Sequence, residues 1–344
     1  MRPAETLELA PLADDLARVE ARLHESVQHP DRFLGEVASH LVTAGGKRIR
    51  PTLTLCAAYA ATGAPPPLVD AASGASSGNG RRSHLPASED AVTGAVAVEL
   101  VHLGSLYHDD VIDEAETRRG VPSVNARWSN IVAILSGDYL LARASALAAS
   151  LGADVAGLLA DTIGELCRGQ VLELQHLYDV SRSQEDYQST IEGKTASLFG
   201  TACRIGGMVS DVDDPTLDAL TRYGHHLGMC FQIVDDCLDL TATDETLGKP
   251  AGQDLVEGIY TLPVIYALGA SDPLHDLLGA PLDPARLLEA HTLATSDGAV
   301  PAALDVARDH ATKAGEALAG AECLDPAVTA GLQRLVEGLV SRDR

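Results

Sequence analysis

Apolar residues recur every three or four positions along most of the chain. The segments LADDLARVEARLHESV (12–27), FLGEVASHLV (33–42), IVAILSGDYLLARASALAASL (131–151) and VAGLLADTIGELCRGQVLELQHL (155–177) keep this spacing, while alternating runs of the strand type are nearly absent. A period near 3.6 buries one stripe of each helix, so the pattern predicts an all-α protein. Local punctuation agrees. Gly45-Gly46 suits the end of a helix, Pro51 a first helical position, and Ser183 followed by Asp186 a capping box.

One stretch breaks the pattern: TGAPPPLVDAASGASSGNGRRSHLPASED (62–90) has no periodicity and reads as a flexible insertion between helices. No similar linker divides the rest, so the 344 residues are expected to form a single large helical domain over 1–344. The greasiest run, AVTGAVAVELVHLGSLY (91–107), carries Glu99 and His102 in its middle, and no stretch of about 18 uninterrupted apolar residues occurs. Six cysteines lie scattered without a CxxC pair, and the first residues do not form a basic segment followed by an apolar one. The expectation is a soluble, cytoplasmic protein without disulfides.

Charge narrows the functional classes. Lys+Arg 25 against Asp+Glu 49 leaves a formal charge of −24, in a chain that is 46% apolar and only 22% charged. Such a surface repels nucleic acid, and no nucleic-acid partner is expected. The same total speaks against phosphorylated substrates until the local placement of charge is considered.

Two segments, LYHDDVIDEAETRRG (106–120) and FQIVDDCLDL (231–240), each contain D-D-x-x-D. On a helix the first and last Asp of this motif lie roughly 6 Å apart along one face. Asp109 and Asp113 therefore share a face, as do Asp235 and Asp239, and both pairs sit in apolar helices with no Lys or Arg four residues on. Repelling carboxylates on a rigid helix ask for a divalent cation, and oxygen-only ligation favours Mg²⁺ completed by waters and substrate phosphates. Cations stand where phosphates need them. GGKRIRP (45–51) puts Lys47 and Arg50 in a glycine-led loop entering a helix, and Arg118 and Arg119 follow the first Asp cluster. His102 lies two turns before Asp109 on the same face.

GGKRIRP, DDVID with its RRG, EGKTASLF (192–199), FQIVDDCLD and GKPAGQDLVEGIYTLP (248–263) occur in an order and spacing that resembles the trans-isoprenyl diphosphate synthases, or polyprenyl synthetases. The resemblance covers about 35 to 270. It implies a mostly antiparallel bundle of the isoprenoid synthase type around a central cavity, usually a homodimer, with the Asp motifs facing each other across its mouth. It assigns Asp109, Asp110, Asp113, Asp235, Asp236 and Asp239 to about three Mg²⁺ ions per site. Lys47, Arg50, His102 and Arg119 match positions that bind isopentenyl diphosphate. Arg118, Lys194, Thr195, Gln232 and Lys249 match positions around the allylic diphosphate, with Thr195 and Gln232 the candidates for stabilising a carbocation. Arg48 is a further cation of the same loop. Two departures stand out: Ile259 occupies a place where the family often has Lys, and the 62–90 segment is longer than the usual connection.

The growing hydrocarbon is expected to run beside the helix that ends in Asp109, past Gly104 and Ser105 one turn earlier. A bulky aromatic there would act as a floor, so small residues favour a medium or long all-trans product. The alternatives are a geranylgeranyl or farnesyl diphosphate synthase and a non-catalytic subunit of a heteromeric synthase. A terpene cyclase would have no use for the isopentenyl diphosphate positions. A greasy product also leaves weak peripheral contact with a membrane open.

Overall fold

The computed structural model describes residues 7, 9, 11–61, 86–241, 252–295, 298–321 and 323–341. The described chain is almost wholly helical. In order it contains α1 (Leu12–Ser26), α2 (Arg32–Thr43), α3 (Ile49–Ala61), α4 (Glu89–Ile112), α5 (Val124–Arg127), α6 (Asn130–Ser150), α7 (Ala153–Gln175), α8 (Gln184–Ile191), a π-turn (Glu192–Ala196), α9 (Ser197–Met208) and α10 (Asp214–Thr241). There follow α11 (Gln253–Glu257), α12 (Leu262–Ala270), α13 (Asp272–Leu277), α14 (Pro284–Ala294), α15 (Ala299–Ala319) and α16 (Pro326–Val340).

The four periodic segments become α1, α2, α6 and α7 within a few residues of their expected ends. Ser183 and Asp186 form the expected capping box on α8. Pro51 lies within the first turn of α3, which starts two residues earlier, at Ile49. Most of the 62–90 segment lies outside the described residues; Ser88 caps α4, and Glu89 and Asp90 already belong to its first turn.

The chain divides into two compact units, the first of residues 1–160, 201–221 and 317–335, the second of 161–200, 222–316 and 336–344. In the first, α4 is buried on every side over residues 91–101, which explains why its sequence lacks a polar face. It packs on α6 along a seam of small residues. A Cβ on Gly104 would stand 3.1 Å from the Gly137 carbonyl and from Leu141, and one on Gly137 would meet the His108 ring at 2.4 Å. By length and composition α6 could cross a membrane, with 33% of its most apolar window buried. It is instead tied into this unit: Arg143 donates to the Ser26 carbonyl at 2.9 Å, and His108 bonds the Ile134 carbonyl at 3.2 Å.

In the second unit, Leu240, Leu255, Tyr260, Val264 and Leu274 form a core under α12, α13 and α14. Buried Arg182 donates to the Tyr260 carbonyl at 3.0 Å and to Thr190 at 2.9 Å, joining the α7–α8 connection to the segment before α12.

Candidate active site

The first unit carries a cationic recess built from a tight loop. After α2 the backbone turns left-handed at Gly45 (φ 81), Gly46 (φ 156) and Arg48 (φ 48) before α3 begins. Glycine suits the first two positions, because it alone enters this region without a Cβ penalty. Lys47 is exposed. Arg50 and His102 are half-buried, and Arg50 lies close enough to His102 and Asp109 to feel both.

Arg119 reaches the same loop from a two-stranded ribbon, Thr117–Arg118 (β1) against Val121–Pro122 (β2), in which Arg118 pairs with Val121. The two-residue turn between them has positive φ at Arg119 (54) and Gly120 (77), the form that matches the twist of a tight hairpin. This turn sends the two arginines apart. Arg119 bonds the Gly45 and Leu41 carbonyls and fills the space where Gly46 would carry a Cβ. Arg118 instead donates Nε to Asp110 Oδ1 at 2.6 Å.

Burial pushes Arg50 down to about 10, helped by the neighbouring Arg119, and lowers Arg119 below the usual guanidinium range. His102 is held well below 6.5, first by burial and then by Arg50 and Arg119. An N–H of this imidazole can donate a hydrogen bond to a phosphate.

The same helix supplies the first carboxylates. Partial exposure along the lower half of α4 returns at His102, Ser105, Leu106, Asp109 and Asp113. That spacing marks one open stripe, with Asp109 and Asp113 a turn apart on it. Asp110 points the other way. It is fully buried, its Oδ2 has no hydrogen-bond partner, and burial raises its pKa against the pull of Arg118. Tyr107 donates to the Val37 carbonyl at 2.7 Å and so leaves the stripe clear. Of the two positions expected to govern product length, Ser105 lies on the stripe, whereas Gly104 is buried against α6.

The second unit carries the other motif. On α10, Asp235 is exposed and Asp236 and Asp239 are buried. Asp236 is fully engaged: Tyr187 donates to Oδ2 at 2.6 Å and Gln232 to Oδ1 at 2.7 Å. Burial still pushes its carboxyl up to about 7, against the lowering effect of both bonds. Gln232 in turn accepts the Thr195 hydroxyl at 2.8 Å, and Asp239 Oδ2 accepts the Asp254 N–H at 3.2 Å.

Lys194 and Thr195 stand on the π-turn, a widened helical turn that is frequent at functional sites. The turn is pressed against α7, where a Cβ on Gly169 would fall 2.3 Å from the Lys194 nitrogen. This approach brings Lys194 onto Glu173, which it contacts directly. Lys249 lies outside the described residues.

Several contributors carry no sequence signal of their own. Glu173 and Tyr187 become visible only as partners of Lys194 and Asp236, and Arg182 only as a buried cation 5.6 Å from the centre of the Tyr187 ring. Among the described residues no three Asp, Glu, His or Cys side chains converge into a self-sufficient metal cage. The oxygen-only donors nonetheless fit a hard divalent cation, since Mg²⁺ is bound through one or two carboxylates and completed by substrate phosphates.

Several known proteins are similar to this chain. The chain is 40% identical over 309 residues to the nonaprenyl diphosphate synthase of Mycobacterium tuberculosis, covering 88% of this chain and 86% of that protein. It is 44% identical over 258 residues to heptaprenyl diphosphate synthase component 2 of Geobacillus stearothermophilus, covering 75% and 73%. The crystal structure of a polyprenyl synthase from Caulobacter crescentus, complexed with calcium and isoprenyl diphosphate, superposes with a TM-score of 0.85 at 32% identity, covering 100% of this chain and 98% of that one. Residues 31–285 match the polyprenyl synthetase family. The chain therefore belongs to the polyprenyl synthetase family and is an all-α prenyltransferase.

Proposed function

We infer that the protein condenses isopentenyl diphosphate with an allylic diphosphate to make a medium- or long-chain all-trans-polyprenyl diphosphate. The observation that carries this reading is the closeness, within one unit, of Arg50 to His102 and to Asp109 on the open stripe, with Lys47 exposed on the same loop as Arg50. A class that ionises an allylic diphosphate without a second substrate has no need of that recess.

Lys47 and Arg50 hold the diphosphate of isopentenyl diphosphate, and His102 donates a hydrogen bond to it. Asp109 and Asp113 in the first unit, and Asp235 and Asp239 in the second, each present oxygen donors suited to Mg²⁺, with about three ions bound in all. Mg²⁺, when bound, supplies electrostatic stabilisation of the departing diphosphate. The allylic C–O bond breaks with its electron pair leaving on the diphosphate. The double bond of isopentenyl diphosphate then attacks the carbocation, and the proton lost from the new chain passes to the released diphosphate. Thr195 is suited to face the cation: its proton is given to Gln232, which leaves hydroxyl lone pairs available. Gln232, bonded at both ends, holds that orientation.

We extend the proposal to a homodimer in the cytoplasm. Ile131, Ile134 and Leu135 on α6 are 70%, 42% and 62% exposed, an apolar surface suited to a partner. The activity is tested by incubating the purified protein alone with farnesyl diphosphate, labelled isopentenyl diphosphate and Mg²⁺. Products beyond twenty carbons support the reading. Products no longer than that favour a short-chain synthase, and activity that appears only with a second protein favours a heteromeric subunit. Light scattering of the same sample tests the dimer.

A further inference from the structure

Arg48 belongs to the same loop as Lys47 and Arg50, and charge alone would send it to the same anion. Its guanidinium is committed inward instead. Nε and Nη2 donate to the two carboxylate oxygens of Glu20 at 2.8 and 2.9 Å, Nη1 donates to Glu99 Oε1 at 2.8 Å, and Nη2 also reaches the Val42 carbonyl at 3.1 Å. The side chain is 9% exposed and that of Glu99 only 2%. These bonds leave Arg48 little capacity for a phosphate. They tie the loop to α1 through Glu20, to α2 through Val42 and to α4 through Glu99.

The backbone agrees with a positioning role. Arg48 has φ +48, a region that non-glycine residues avoid and that persists where the surroundings over-determine it. With Arg48 drawn inward, Lys47 is left exposed and Arg50 lines the recess. Glu99 has a second effect. It lies in the field of Arg50 and Arg119 as well, and it favours the charged form of both. One buried carboxylate thus serves three guanidinium groups that would otherwise repel one another before a diphosphate arrives.

We propose that Glu20, Arg48 and Glu99 form a strut, buried at Arg48 and Glu99, that sets how Lys47 and Arg50 are presented to isopentenyl diphosphate, with Arg48 a positioning residue rather than a phosphate ligand. The proposal rests on the reading of this recess as the isopentenyl diphosphate site. Misplacing binding groups is costly even when the groups themselves are intact, so the strut should control affinity for that substrate selectively.

The test is steady-state kinetics of the full-length enzyme with Mg²⁺, farnesyl diphosphate and isopentenyl diphosphate, alongside thermal unfolding. Arg48→Met alone leaves Glu99 buried without its ion-pair partner, so the informative variant is Arg48→Met/Glu99→Met, which removes both charges at similar volume. The expected result is a cooperative unfolding transition with KM for isopentenyl diphosphate raised at least about tenfold and KM for farnesyl diphosphate within about twofold of the parent. A folded double variant with an unchanged KM for isopentenyl diphosphate overturns the proposal. Should that variant fail to fold, Glu20→Gln decides the matter at the more exposed end of the strut. A rise of about threefold in the same KM supports the strut, and no change overturns it. Lys47→Ala separates the two levels of inference. If it leaves KM for isopentenyl diphosphate unchanged, the site reading falls and the strut with it. If it raises KM while the strut variants do not, only the strut falls.

Discussion

Gly104 and Ser105 are neighbours in sequence, and replacing each in turn separates a packing role from a product-length role. A Cβ at Gly104 would stand 3.1 Å from both the Gly137 carbonyl and a Leu141 methyl, closer than ordinary contact. Gly104→Ala therefore forces α4 and α6 apart by a few tenths of an ångström, an overpacking cost of about 1–3 kcal/mol. The helical preference of alanine over glycine returns up to about 1 kcal/mol, leaving a net loss of about 0–2 kcal/mol. At about 2–4 °C per kcal/mol, the melting temperature should fall by no more than about 8 °C. A phenylalanine at 104 has nowhere to go and should prevent folding. Ser105 lies on the open stripe, and its hydroxyl bonds the His102 carbonyl of its own helix, at 2.9 Å. Ser105→Phe should keep the parent melting temperature to within about 2 °C, because surface changes of this kind are nearly neutral. Its ring should nevertheless obstruct the growing hydrocarbon. Mass spectrometry of the products, with calorimetry on the same samples, should give shorter products from Ser105→Phe and parental products from Gly104→Ala. A folded Ser105→Phe variant with the parental product distribution would refute the assignment of the stripe.

The remaining predictions concern the carboxylates and a histidine pair. Asp109→Ala should lower kcat by about 10³-fold, equivalent to about 4 kcal/mol of lost electrostatic stabilisation, while removing a repulsion with Asp113; a variant of near-parental activity shows that Asp109 holds no metal. Tyr187→Phe deletes the 2.6 Å bond that favours ionised Asp236. In the metal-free protein the Asp236 carboxyl, already at about 7, should rise further, and its titration followed by NMR should move to higher pH by about 1 unit. An unmoved titration would show that the Tyr187 bond does not hold Asp236 in its ionised form. His226 and His310 meet through their Nδ1 atoms at 3.1 Å, and burial lowers both to about 4. Because the folded pKa lies below the unfolded one, protonation favours the unfolded chain; stability is complete above about pH 6.5 and declines as the pH falls toward 4. A His226→Leu/His310→Leu variant should show a flatter decline of melting temperature over that window, and an identical decline would exclude the pair as its source.

Much of the helix layout is legible from periodicity, because α1, α2, α6 and α7 each bury one stripe. The first half of α4 is a different case: its residues 91–101 are buried all round, and only the run of apolar residues announces it. The Asp motifs are legible because like charges at helical spacing demand an explanation. The direction of individual side chains is not. Asp110 and Asp236 sit beside stripe residues in the motif, yet each is turned inward, by Arg118 in one case and by Tyr187 and Gln232 in the other. Arg118 and Arg119 are adjacent, but a hairpin turn separates their targets. Arg48 is indistinguishable from Lys47 by charge, and its role depends on Glu20 and Glu99, which lie 28 and 51 residues away. Pattern reading registers local periods; it has no access to partners brought together by tertiary folding.

The span of these contacts has a consequence for how the protein reaches its native state. The recess is closed by bonds between residues 28, 51 and 74 apart, Glu20–Arg48, Arg48–Glu99 and Gly45–Arg119. Contacts of such separation require loop closure before they contribute any stability, so they belong to the later stages of folding. Inorganic diphosphate, by engaging only the completed recess, should slow unfolding more than it speeds refolding. Substrate binding would then act as a folding sensor, retaining chains in which four separate stretches of sequence have found one another.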